Sequence, residues 1–201
     1  TKDDLGKKRC PKGWVFSINK WSRFIFRNRE QKLLAQSKKG VYKFFRDEVM
    51  PLSVFAQRRY PNRFKVIPID GNQGYDAEVY DDAGCLFERV ELTFPHSGKE
   101  RAESVRNLQS RGYGTINVYD IGDDFDQLIP FVEETAKSKS TKDYSDCILV
   151  FVIDFSMPFP EDKKVYVEKI RELGLKISHI QFKAKDVCFL VMPYRDLYYY
   201  E

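Results

Sequence analysis

The chain has 201 residues, of which 42% are hydrophobic and 15% aromatic, so it can bury a core, which excludes a mainly disordered protein. It shows neither a signal-peptide pattern nor an apolar run of about 18 residues, so we expect a cytoplasmic protein without a membrane partner. Four widely spaced cysteines and only two histidines exclude a zinc finger or ribbon and indicate free thiols, most of them buried, in a reducing compartment.

The net charge of +4 conceals a strong asymmetry along the chain. Residues 1–65 carry 18 Lys and Arg against 5 Asp and Glu, a net of +13. The remaining 136 residues carry 16 against 25, a net of −9. This asymmetry predicts a basic surface for a polyanion beside an acidic body, and a merely solvated basic helical face is the alternative.

Residues 1–60 are predicted to form a basic N-terminal tail followed by helices. Residues 1–13 are rich in lysine and read as a tail, and apolar residues then recur at helical spacing as far as Tyr60. Pro51 is expected to end or kink the second helix.

Basic residues in this part of the chain are the candidate nucleic-acid-binding residues, because lysine and arginine neutralise phosphates. Aromatic residues interleave with them, and they are expected either to pack in the helix core or to offer faces to unpaired bases. The basic candidates are Arg23, Arg27, Arg29, Lys38, Lys39, Arg58 and Arg59. The interleaved aromatics are Trp14, Trp21, Phe24 and Phe26.

Residues 61–201 are predicted to form a mixed α/β core that makes one structural unit with the preceding helices. Short runs of period two at 64–69, 75–80 and 85–94, separated by glycine-containing turns, predict an antiparallel meander. The later elements are predicted as helices at 99–110, 124–136 and 161–173, strands at 147–153, 176–182 and 187–192, a loop at 137–146, and a tyrosine-rich tail at 194–200 that covers a sheet edge. This order indicates a mixed central sheet flanked by helices.

Acidic residues on the second and third strands of the meander are the leading site candidates. Side chains two residues apart on a strand share a face, so Glu91 and Thr93 are expected on one side of the third strand, opposite Leu92. If the two strands pair as a hairpin, Asp76 converges with Glu91 on that exposed face. Two adjacent carboxylates repel each other unless a cation or proton lies between them, and Mg²⁺ suits such a place.

The order of elements and these acidic residues resemble the restriction-endonuclease-like, or PD-(D/E)XK, nuclease superfamily. Gly74-Tyr75-Asp76 is similar to the aspartate position of the motif, and Glu91-Leu92-Thr93 is similar to its Glu-x-Lys position. The segment from Lys99 to Gly112 is similar to the helix that follows. The resemblance covers roughly residues 40 to 155 and implies a restriction-endonuclease-like core with basic helices at its N-terminus.

The resemblance also implies a division of labour at the site. Asp76 and Glu91 would hold Mg²⁺ (or Mn²⁺), with the Leu92 carbonyl as a third ligand and a carboxylate from the first helix, Glu48 or alternatively Glu30, joining them. The metal would activate a water and stabilise the charge that develops on a phosphodiester. The family's lysine is replaced by Thr93, which cannot supply a positive charge.

Two cations are candidates to replace that lysine: Lys99, at the start of the next predicted helix, and Arg89, on the same strand. The first hypothesis is therefore a metal-dependent endonuclease, a hydrolase acting on DNA, with Asp76, Glu91, Thr93 and Lys99 as the catalytic set. The alternatives are a non-catalytic nucleic-acid-binding module that keeps the fold, or a protein-interaction subunit. The expected partner is nucleic acid, and a homodimer or larger complex is left open.

Overall fold

The structure is a computed structural model that describes residues 2–27, 31, 40–71, 73–95, 121–154, 163–192 and 196–199. These residues belong to two compact units, the first extending to Leu92 and the second beginning at Thr93. Both units contain helices and strands, so the predicted mixed α/β class is confirmed. The predicted helix from Lys99 lies outside the described residues.

The helices that the structure describes in the first unit precede its described strands. They are α1 (Lys2–Leu5), α2 (Pro11–Arg27), α3 (Val41–Phe44), a π-helical turn (Phe45–Val49) and α4 (Met50–Arg59). The interruption predicted near Pro51 is present as the π-helical turn, which precedes α4 and its early proline. A proline lacks the backbone N–H of a regular helical turn, and a π-helical turn accommodates such a break.

The N-terminal residues are not the tail that their composition predicted. Leu5 is fully buried, and Trp14 is fully buried with its indole N–H donating to the Val66 carbonyl at 3.3 Å. Arg9 and Val66 exchange two backbone hydrogen bonds of 3.0 and 2.8 Å. The segment is ordered because its apolar side chains are buried and its backbone pairs with the edge of the first strand.

Helix α2 carries a buried stripe on one side. Its buried residues recur three or four positions apart, which is the spacing of one helical face, and α2 packs against α4. The residues of the stripe are Trp14, Ser17, Trp21 and Ile25. Proline 11 opens the helix, where a missing backbone N–H costs nothing.

The predicted antiparallel meander is confirmed in the first unit. Its strands are β1 (Lys65–Pro68), β2 (Ala77–Tyr80) and β3 (Leu86–Thr93), and both pairs are antiparallel. Gly84 has a φ of 83° in the turn between β2 and β3, a conformation that glycine adopts without strain. The Asp81 side chain accepts a hydrogen bond from the Cys85 backbone N–H at 2.8 Å and stabilises this turn.

The second unit contains α5 (Ile121–Ser140), β4 (Asp143–Ile153), α6 (Lys163–Ile177), β5 (Lys183–Val191) and β6 (Asp196–Tyr199). β4 and β5 are parallel and β5 and β6 are antiparallel, so its strands are of mixed direction. Every residue from Cys147 to Ile153 is buried, as a central strand requires. The tyrosine-rich tail pairs with β5 as the predicted edge cover.

Three predicted boundaries in the second unit are wrong. The loop expected at 137–146 is instead the end of α5 and the start of β4, because Asp143 and Tyr144 pair with β5. Gly174 does not end α6, since the helix continues to the fully buried Ile177. The strand expected at 176–182 is therefore the last part of that helix and a connection.

No helix in the described part of the chain is long and apolar enough to span a bilayer.

Candidate functional site

Asp76 lies in the first unit, immediately before β2, and its backbone is held on both sides. Its N–H donates to the Val90 carbonyl, and its carbonyl accepts from the Ile69 N–H, each at 2.8 Å. The side chain is half-buried, and its Oδ2 accepts a hydrogen bond from the Leu92 backbone N–H at 2.7 Å. Asp76 is thereby fixed to both neighbouring strands, which gives its carboxylate a defined position.

Glu91 lies on the strand next to Asp76. The register pairs Glu78 with Arg89 and ends with Ala77 opposite Val90, so Asp76 and Glu91 are the next residues of the two segments beyond the last pair. Both side chains are half-buried. Two half-buried carboxylates therefore adjoin the last residue pair of β2 and β3.

Glu48, in the π-helical turn, belongs electrostatically to the same place. The pKa of this carboxyl is raised from 4.5 to about 7, first by burial and then by the negative charge of Asp76. Lys43 partly offsets these effects, while Asp70 and then Asp47 add to them. Glu48 lies in a π-helical turn, and turns of this kind often occur at functional sites. A carboxyl with a strongly perturbed pKa beside a specific charged partner marks a candidate functional site.

Asp70 is a site residue that the sequence reasoning missed. It follows β1 in the turn that leads to Asp76, and its charge acts on Glu48. Its carboxylate also forms an ion pair with Lys2. The signal that points to it is its position at a strand end, in the same turn as Asp76. We use the name acidic cluster for Glu48, Asp70, Asp76 and Glu91.

Thr93 is buried, with 7% of its surface exposed, so the prediction that it shares an exposed face with Glu91 is wrong. Leu92, its neighbour on the opposite face, is exposed to the same small extent. Burial at this end of β3 includes both faces, and alternation of residue types cannot reveal that. The backbone N–H of Leu92 nevertheless contacts the site, because it donates a hydrogen bond to the Asp76 carboxylate.

Arg89 is a candidate cation on the same strand as Glu91. Its guanidinium lies over the Tyr75 ring, 4.8 Å from the ring centroid, and its Nε lies 3.9 Å from Oε1 of Glu78. Because Arg89 and Glu91 are two residues apart on β3, they share a face. Lys99, the other cation considered, lies outside the described residues.

Glu78 organises the face on which Arg89 lies. Its carboxylate accepts hydrogen bonds from the Tyr75 hydroxyl at 3.1 Å and the Tyr80 hydroxyl at 2.6 Å. Burial, followed by the bond to Glu78, raises the pKa of Tyr75, and the bond to Glu78 is the main cause of the raised pKa of Tyr80. Both hydroxyls therefore stay protonated and keep the Glu78 carboxylate in place.

Glu88 is a second residue that the sequence reasoning missed. It lies on the buried face of β3 with 4% of its surface exposed, and its Oε1 is 3.4 Å from Nε of Arg59. Arg59, a predicted nucleic-acid-binding residue, thus faces a buried carboxylate at the end of α4. The sequence indicates Glu88 only as an acidic residue that alternates with the apolar Val90 and Leu92 on one strand face, and this pattern does not identify Arg59 as its partner.

The remaining predicted nucleic-acid-binding residues divide into two groups. Arg23 and Arg27 are exposed on α2, and Arg58 is exposed on α4. Arg29, Lys38 and Lys39 lie outside the described residues, as does Glu30, the alternative to Glu48. The described basic candidates are therefore on helices of the first unit, as the charge asymmetry predicted.

The donor set of the acidic cluster is of the kind that Mg²⁺ takes in proteins. Mg²⁺ uses one or two carboxylates and keeps several waters, and Asp76 and Glu91 supply two carboxylates next to the last residue pair of β2 and β3. Burial and then the charge of Asp76 raise the pKa of Glu48, and a bound cation would lower it. Among the residues that the structure describes, no group of three or more His, Cys, Asp or Glu is arranged to hold a metal ion.

Compared with known proteins, the chain matches no family model, no curated protein and no solved structure. The resemblance to the restriction-endonuclease-like superfamily therefore stays a hypothesis that rests on the order of elements and on the acidic residues. Function has to be inferred from the chemistry of the acidic cluster itself.

Proposed function

We propose that the first unit is a metal-dependent nuclease-like domain that hydrolyses phosphodiester bonds of DNA. The observation that carries the proposal is the acidic cluster: Asp76 and Glu91 adjoin the last residue pair of β2 and β3, and Glu48 is half-buried, with a pKa of about 7 that the charge of Asp76 helps to raise. Carboxylates brought together in this way are unfavourable for stability alone, because like charges that lie near each other repel. Proteins accept such a cost chiefly where function needs it.

Asp76 and Glu91 would hold Mg²⁺ or Mn²⁺, and the bound ion would supply charge stabilisation and an activated water. The hydrogen bond from Leu92 to Asp76 orients one of the two carboxylates. Glu48 is suited to accept or donate a proton near neutral pH, because a catalytic pKa close to the working pH favours both forms. Arg89, held over Tyr75 and beside Glu78, supplies a positive charge to a phosphate on the same face.

Cleavage of labelled single- and double-stranded DNA and RNA with Mg²⁺ or Mn²⁺ tests the proposal. We expect Asp76→Asn and Glu91→Gln each to reduce the cleavage rate by about 100-fold or more, since each removes a charge that the reaction needs. Asp82→Asn is the matched control, because Asp82 is an exposed carboxylate in the β2–β3 turn of the same unit. Cleavage that survives both Asp76→Asn and Glu91→Gln excludes the proposed site.

Glu48 supplies an independent arm of the same experiment. The rate should rise with pH through about 7 if Glu48 acts as the base, and Glu48→Gln should remove that step from the pH profile. An unchanged profile in Glu48→Gln excludes this role while leaving the metal-binding role of Asp76 open to its own test.

The second candidate is a non-catalytic nucleic-acid-binding module with the same fold. The observation in its favour is Thr93, which is buried and uncharged at the position where the nuclease motif has a lysine. Binding of DNA in EDTA together with no cleavage under any metal supports this candidate. The absence of both binding and cleavage supports a protein-interaction subunit.

A further inference from the structure

Helix α2 exposes two large aromatic side chains outside its buried stripe. Phe16 is 76% exposed and Phe24 is 53% exposed, although both are large hydrophobic residues. They are eight residues apart, which is two turns plus about 80° around the helix and about 12 Å along its axis, and both line one surface groove. Exposed aromatics grouped on one surface indicate a binding function more often than isolated ones do.

Cations line the same groove as the two phenylalanines. Lys20, Arg23 and Arg27 follow Phe16 at intervals of four, three and four residues, and with Phe16 and Phe24 they form what we call the aromatic–cationic stripe. Asn19 and the stripe line an open groove of about 740 Å³. The helix contains no acidic residue, and among the described residues no carboxylate is within ion-pair distance of Lys20, Arg23 or Arg27.

The buried Trp21 supports the ring of Phe24. The Phe24 ring contacts the edge of Trp21, with ring centroids 6.2 Å apart and planes at 76°. Trp21 stacks on Phe45 at 5.8 Å and donates its indole N–H to Oδ2 of Asp4 at 3.1 Å. The exposed face of Phe24 is therefore presented on a rigid support, which lowers the entropic cost of stacking a ligand on it.

We propose that the aromatic–cationic stripe binds the unpaired strand of a nucleic acid. Bases stack on Phe16 and Phe24, and Lys20, Arg23 and Arg27 neutralise the phosphates between them. Stacking needs exposed base faces, which a duplex hides except at its ends, whereas the cations attract any polyanion. This inference rests on the proposed function, because it names the substrate class that the nuclease-like unit holds: strands with unpaired bases.

The test measures binding in EDTA, so that no cleavage contributes, by fluorescence anisotropy of a labelled single-stranded oligonucleotide and of the duplex of the same sequence. The full chain should bind the single strand more tightly. Phe16→Ala combined with Phe24→Ala should weaken single-strand binding by at least about tenfold, as expected for two lost stacking contacts, with duplex binding changed less than about threefold. Phe16→Trp with Phe24→Trp should retain it.

Leu175→Ala is the matched control, since Leu175 is 73% exposed on α6 of the second unit. If Phe24→Ala disturbs folding through Trp21, the single-strand affinity of Phe16→Ala alone tests the proposal, because Phe16 is the more exposed ring. Unchanged single-strand affinity in Phe16→Ala, or equal affinity for duplex and single strand, overturns the proposal.

A membrane surface is the other polyanion that an aromatic and basic helix can meet. Vesicles containing phosphatidylserine are therefore added as competitor. Competition that depends on Phe16 and Phe24 shows a membrane-docking surface and overturns the proposal. Because binding is measured without metal, its failure is distinguishable from failure of the nuclease proposal, which is judged by cleavage in Asp76→Asn and Glu91→Gln.

Discussion

At the scale of single residues, Glu48 is the group whose chemistry the fold changes most clearly. Its carboxyl is half-buried in a helical turn, and the nearby charges of Asp76 and Asp70 oppose its ionisation. Burial is the largest cause of its raised pKa, so solvent access to the π-helical turn controls its protonation more than any single neighbour does. The burial that suits Glu48 to proton transfer also destabilises the folded protein when this carboxyl is ionised.

Glu48→Gln should stabilise the protein at pH 8 and have little effect at pH 4. The folded-state pKa of Glu48 is raised from 4.5 to about 7, so its favourable contribution is fully present below 4.5 and is lost as the pH rises through about 7. The raise corresponds to at most about 3 kcal/mol, and solvent screening at a half-buried carboxyl reduces it to about 1–2 kcal/mol. Urea unfolding at both pH values measures the difference.

Asp82→Asn is the control for this measurement, since Asp82 is an exposed carboxylate of the same unit. Its free energy of unfolding should differ from that of the wild type by less than about 0.5 kcal/mol at either pH. A Glu48→Gln variant that is no more stable than the wild type at pH 8 contradicts the burial of this carboxyl.

At the scale of elements, the first unit positions its acidic residues from three directions. The π-helical turn carries Glu48, the turn after β1 carries Asp70 and Asp76, and β3 carries Glu91. An ion pair between Arg59 at the end of α4 and Glu88 on β3 joins helix and sheet on the buried face. The helix and the meander are thus linked by charge as well as by apolar packing.

Removing one member of the Arg59–Glu88 pair should destabilise the protein by about 3 kcal/mol, because a buried charge is left without compensation. Arg59→Leu combined with Glu88→Leu should cost less than the sum of the two single changes, with a coupling energy of at least about 1 kcal/mol. Chemical denaturation of the four proteins of this double-mutant cycle measures the coupling.

The pair Arg63–Asp82 is the matched control for that cycle. Its Nε and Oδ2 atoms are 3.9 Å apart, with both side chains about two-thirds exposed at 67% and 66%. Exposed pairs of this kind contribute about 0–1 kcal/mol. Equal coupling energies in the two cycles would mean that Glu88 is not buried as the structure describes.

At the scale of the whole molecule, positive charge is concentrated in the first 65 residues, with a net of +13, and the rest carries −9. The described part of this basic segment includes α2 and α4, which expose Arg23, Arg27 and Arg58. The opposite sign of the remaining chain disfavours a polyanion there. Binding to nucleic acid should therefore depend on cations of the first unit and should weaken with salt.

Lys20→Gln, Arg23→Gln and Arg27→Gln together should reduce the salt dependence of single-strand binding. Each phosphate contact contributes about 0.7 to the slope of log K against log salt concentration, so three lost contacts should lower its magnitude by about 2. Lys164→Gln, Arg171→Gln and Lys176→Gln on α6 of the second unit are the matched control. A slope that falls equally in both triple variants indicates a general effect of net charge and excludes a local site.

Much of the fold follows from local patterns that the sequence displays directly. Period-two alternation with glycine in the turns predicts β1 to β3, and an unbroken apolar run predicts β4, because these patterns report which faces are buried. The errors occur where distant contacts decide the structure. Leu5 and Ile177 are buried in helices at positions where composition indicated a tail and a strand. Local propensity is a weak signal when tertiary packing supplies the burial.

The sequence by itself determined a meander in which Asp76 adjoins the second strand and Glu91 lies on the third, with the basic residues before them, because strand periodicity and charge are local properties. Only the tertiary structure decided that Thr93 is buried, that Glu88 faces Arg59, and that burial and nearby charges raise the pKa of Glu48 to about 7. It also decided between two fates for the aromatics of α2, burying Trp14 and Trp21 and exposing Phe16 and Phe24. Burial and electrostatic environment depend on side chains that are remote in the chain, so no local pattern contains them.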